Sequence, residues 1–148
     1  MILRRTLLAS LVAAWLPLPA LADQPVFYAE GGQAIGGYDV VAYFTEGRPV
    51  KGDIRFSVMW KGAVWLFASN AHRELFEANP RAFAPRYGGY CAYGMAKGHA
   101  VSSEPEAWFI RDGRLYLVHN AQIGDRWKAD PAGNIAMANA NWPAALHD

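Results

Sequence analysis

Two stretches of the chain share one arrangement of apolar and polar positions. Residues 55–60 and 63–68 are rich in aromatic and β-branched side chains and are separated by Lys61-Gly62. That pattern predicts a β-hairpin. Residues 108–111 and 114–118 flank Asp112-Gly113 in the same way, and Asp-Gly between apolar runs is the strongest short-range hairpin signal. A helical pattern follows each hairpin. Ser69 or Asn70 caps a helix reaching about Asn79, with Ala71, Leu75 and Phe76 as its inward stripe, and Pro80 stops it. Residues 80–83 add one more turn, capped by Asn79. Asn120 caps a helix through Trp127 that ends before Pro131. A last helix over residues 134–142 carries Ile135, Ala138 and Trp142 on one face and stops at Pro143. Residues 23–37 read as an irregular, glycine-bearing lead-in, and residues 40–44 as a short apolar stretch before a turn. The pattern predicts an α+β fold, a small antiparallel sheet built from two hairpins with helices packed against it.

Residues 1–22 have a different character. Arg4 and Arg5 precede an apolar run, and Ala20-Leu21-Ala22 supplies a small-x-small cleavage pattern. This predicts a signal peptide, a mature chain beginning at Asp23, and a periplasmic or secreted location. Pro17 and Pro19 interrupt the run before it reaches the roughly 20 residues needed to span a bilayer. Arg4-Arg5 also resembles a twin-arginine signal, so general secretory and twin-arginine export both stay open. Residues 23–148 then form a single domain, large enough for a real core. The expected protein does not associate with membranes once the leader is cleaved.

Charge narrows the choice of partners. The whole chain carries 14 Lys+Arg against 13 Asp+Glu, and Arg4 and Arg5 lie in the leader. The remaining twelve basic and thirteen acidic residues give a net charge of −1. A near-neutral domain without basic runs in its sequence argues against nucleic acid as a partner.

The only cysteine, Cys91, lies in Tyr87-Gly88-Gly89-Tyr90-Cys91-Ala92-Tyr93-Gly94, between the two halves. It has no internal disulfide partner, so in an exported chain it is a buried inert thiol, an intermolecular link, a reactive group or a metal ligand. If the following segment is helical, Cys91, Met95 and His99 share one face at four-residue intervals. Thiolate, thioether and imidazole together suit Cu(I) better than Zn(II). Four-spaced Cys and Met are also ordinary core residues. His72 reads as solvated on a polar helix face, and His119 as a hydrogen-bonded structural residue. Asp39 and Glu30 read as isolated carboxylates. The chain has no nucleophile elbow, phosphate-binding glycine loop, His-Glu-x-x-His run or Cys-x-x-Cys pair. No catalytic residue is assigned, and the chain is not expected to be an enzyme.

Three motifs carry a family resemblance. Gly37-Tyr38-Asp39-x-Val41-Ala42-Tyr43-Phe44, Trp65-x-Phe67-Ala68-Ser69 and Phe76-x-x-Asn79-Pro80-x-x-Phe83 occur in order and resemble the YHS domain family. The likeness is greatest to its secreted, single-domain bacterial members, which also show a Tyr-Gly-Gly-Tyr-Cys-Ala-Tyr run and a late Trp-Pro. The resemblance covers nearly all of residues 23–148 and implies a small α+β module. It also implies a heavy metal as ligand and a metal transporter or metalloprotein acceptor as partner. Metal-associated relatives carry cysteines where this chain has Ala42 and Ala68, and a proline where it has Val40. Cys91 is therefore the one thiolate left for a metal site. The expected function is soft-metal binding or delivery, with copper at Cys91, Met95 and His99. The alternatives are a small-ligand or protein-interaction module with a structural Cys91 and, behind it, a thiol-dependent enzyme.

Overall fold

A computed structural model describes residues 23–147. The expected leader, residues 1–22, lies outside the described residues. Both hairpins form at their expected places. Strands β1 (Ala29–Glu30) and β2 (Gln33–Ala34) precede α1 (Ala42–Thr45), β3 (Asp53–Trp60) and β4 (Ala63–Phe67). Helices α2 (Asn70–Ala78), α3 (Pro80–Phe83) and α4 (Ala92–Ala96) follow. The second half holds β5 (Trp108–Arg111), β6 (Arg114–Leu117), α5 (Ala121–Ala129) and α6 (Pro131–Asn141). Lys61 and Gly62 both have positive φ, as do Asp112 and Gly113. Those values give the two-residue turn geometry that matches strand twist.

The fold is mixed α and β, but its strands form two sheets where a single antiparallel one was expected. A four-stranded sheet runs β1-β2-β4-β3, while β5 and β6 pair only with each other. The β2–β4 contact is parallel, through Gln33 and Val64. The lead-in read as irregular thus contains a third hairpin. Its strands are two residues each, too short for alternation to register.

The helices also depart in detail. Ser69 does cap α2, accepting the His72 amide at 3.2 Å, yet of the expected stripe only Phe76 is buried. Ala71 and Leu75 are exposed, and His72 and Arg73 share the inward side instead. Helix α6 begins at Pro131, three residues before the expected start at Asn134, with Asp130 accepting the Gly133 amide as its cap. Pro131 ends one helix and opens the next, because proline suits the first helical position.

Strand β6 joins two apolar clusters. Leu115 and Leu117 belong to one, with Phe27, Trp65, Phe67 and Phe76, while Tyr116 and Val118 belong to the other, with Cys91, Met95 and Trp127. Successive strand residues point to opposite faces, so this short strand is a wall buried on both sides.

Candidate functional site

The glycine run before Cys91 works as a chain crossing. Tyr87, Gly88 and Gly89 all have positive φ. A side chain at Gly88 would collide with the Val26 carbonyl, and one at Gly89 would sit 2.7 Å from Ile35 Cγ2. The Gly88 carbonyl accepts the Tyr28 amide at 2.9 Å. Close backbone approach with left-handed φ is the circumstance that demands glycine. The run brings the segment before β1 against the second half.

Cys91 then opens α4. Its Sγ accepts the Gly94 amide at 3.3 Å, a capping role usually taken by Ser, Thr, Asp or Asn. The same sulfur accepts the His119 amide at 3.2 Å, and the Cys91 amide donates to Val101 O at 2.9 Å. The residue is 1% exposed. Met95 follows one turn later, fully buried, as expected for a shared face. His99 does not join them. The helix ends at Ala96, Gly98 has φ +85°, and the His99 amide turns back to the Gly94 carbonyl at 3.0 Å. His99 is exposed. Gly94 and Gly98 shorten the helix on which the third donor depended.

His119 lies in its expected structural setting. Its ring Nδ1 is 3.1 Å from Ser102 O and 3.3 Å from Ser102 Oγ, and only its backbone reaches the sulfur. Among the described residues, no imidazole ring hydrogen-bonds Cys91 as a nucleophile's base would. No group of three or more His, Cys, Asp or Glu side chains among the described residues is placed to hold a metal there either.

Sequence reasoning missed the pairing of Asp39 with His72. Asp39 is 0% exposed. Its Oδ1 accepts the amides of Val41 at 2.9 Å and Ala42 at 3.2 Å, which caps α1. Oδ2 accepts the Ala68 amide at 2.9 Å and faces His72 Nδ1 at 2.6 Å. His72 Nε2 lies 3.2 Å from Thr45 Oγ1, and that hydroxyl also donates to Val41 O at 3.2 Å. The trio joins α1, the end of β4 and α2. This corrects two expectations: His72 is not solvated, and Asp39 is not isolated. The usable signal was a carboxylate followed at once by Val40-Val41-Ala42, since a charge inside an apolar run needs partners.

The tyrosines are staples between segments. Tyr43 donates to Pro105 O at 2.9 Å, Tyr90 to Pro25 O at 2.7 Å and Tyr87 to Asn139 Oδ1 at 2.9 Å. Burial pushes the hydroxyls of all three above the ordinary tyrosine value. Tyr28 is pushed up to about 12, by burial first and by its hydrogen bond to Glu30 second.

Hollows open beside these networks among the described residues. One, of about 330 Å³, sits between the halves, with Tyr38, Lys51 and Glu104 among its walls. Another, of about 460 Å³, has Lys61 and Trp142 among its walls. Comparison with known protein families, curated protein sequences and solved structures finds no significant match to this chain.

Proposed function

We propose that this chain is an exported YHS-type domain that binds a small ligand non-catalytically, with Cys91 as a structural thiol. The observation that carries this reading is the state of the sulfur. It is buried, it caps α4, and it accepts two backbone amides from separate segments. A thiol held in this way has a complete structural task, and open hollows remain elsewhere for a ligand.

One observation favours a second reading. Cys91 and Met95 lie one helical turn apart in a single buried cluster. A thiol and a thioether so placed suit Cu(I), exchanged with a transporter or a metalloprotein acceptor. Competition for Cu(I) against a chelator, with Cys91→Ser beside the wild type, separates the two. The structural reading expects no difference between them, and the copper reading expects Cys91→Ser to lose the ion.

A further inference from the structure

The 460 Å³ hollow is lined by four cations drawn from four separate places: Lys61, Arg81, Arg86 and Arg114. Lys61 comes from the β3–β4 turn, Arg81 from α3, Arg86 from the segment after it, and Arg114 from the start of β6. No carboxylate among the described residues lines it. Among the described residues, none of these four pairs with an acid. Arg86 hydrogen-bonds Asn139 through Nη2 at 3.0 Å and lies over the Tyr87 ring, but its buried Nε has no partner. Lys61 Nζ lies 5.0 Å from the Trp60 ring centroid. Asp112 lines an adjoining hollow together with Arg81 and Arg114, and its carboxylate lies 3.9 Å from Arg111.

The rest of the lining is apolar, with Phe27, Pro85 and Trp142 among its members. Convergent like charges repel one another, and that cost falls when an anion sits between them. Guanidinium groups bind carboxylate and phosphate oxygens in pairs, and aromatic walls take the apolar remainder of a ligand. Residues 23–148 carry twelve Lys+Arg against thirteen Asp+Glu, so this positive field is local.

The geometry points to this hollow as the ligand site: it takes a small dianion, carrying carboxylates or a phosphate, on a flat apolar body. The assignment rests on the ligand-binding reading above but not on copper, because its test leaves Cys91 unchanged.

Three probes test it by calorimetry and tryptophan fluorescence: benzene-1,3-dicarboxylate, its neutral dimethyl ester and inorganic phosphate. The dicarboxylate binds saturably at one site, the phosphate binds more weakly, and the ester does not compete. Arg81→Ala with Arg114→Ala weakens the dicarboxylate at least about tenfold, and added salt weakens it too. Arg111→Ala, outside the lining, changes nothing. Absence of saturable binding by both anions, or binding that the double variant leaves intact, overturns the site. Phosphate binding as tightly as the dicarboxylate overturns the apolar half of the assignment. A flat anion titration beside copper-indifferent Cys91 variants removes this site and leaves the structural-thiol reading standing.

Discussion

Asp39 is the hub of a buried polar network in the first half. Its carboxylate satisfies three backbone amides and one imidazole from a fully buried position. Removing it leaves all four donors without a partner, and each buried orphan carries a desolvation penalty. Asp39→Ala is therefore expected to cost about 3 kcal/mol or more in urea unfolding, as for a broken buried pair. A loss below about 1 kcal/mol would show that water replaces the carboxylate. Cys91 plays a smaller version of the same part, with two amides on one sulfur. The sequence signals that Asp39 needs partners and allows Cys91 to be a buried thiol, but it identifies the partners of neither. The partners of Asp39 come from residues up to 33 positions away, and the sulfur's second donor lies 28 positions on.

At the scale of elements, what could be read was what is decided locally. Lys61-Gly62 and Asp112-Gly113 specify their turns by backbone preference alone, and Ser69 and Asn120 cap helices through amides three residues on. The face of α2 was misread because His72 counted as polar, while its buried partner Asp39 draws it inward. The crossing at Gly88 supplies a test. Gly88→Ala puts a Cβ against the Val26 carbonyl at a positive φ. Strain and overlap together are expected to cost about 3 kcal/mol. Gly31 has φ +57° with nothing near its added Cβ, so Gly31→Ala pays strain alone, about 1 kcal/mol. Equal melting curves for the two variants would deny that the crossing is tight.

The molecule as a whole is tied together by tyrosine hydroxyls and by β6. Tyr43 and Tyr90 donate across sequence separations of 62 and 65 residues. A phenolate cannot donate, and these groups ionise above the ordinary value. Their stabilisation is fully present below the ordinary tyrosine value of 10.0 and is lost as pH rises through the higher folded values. Far-ultraviolet dichroism followed alongside tyrosine absorbance should show ionisation and unfolding arriving together in that alkaline range. Tyr43 or Tyr90 ionising near pH 10 in a still-folded chain would contradict the staples. The basic hollow also belongs to this scale. Lys61, Arg81, Arg86 and Arg114 are scattered through the sequence, and only the meeting of turns and helices gathers them.

The central proposal is that Cys91 serves the fold as a structural thiol rather than as a metal ligand. Competition between a Cu(I) chelator and the reduced protein under anaerobic conditions tests it most directly, with Cys91→Ser, Met95→Leu and His99→Ala alongside. The account predicts that all four proteins yield copper at the same chelator concentration. Wild-type protein that retains Cu(I) where Cys91→Ser and Met95→Leu release it would contradict the claim and assign the sulfur to a metal site.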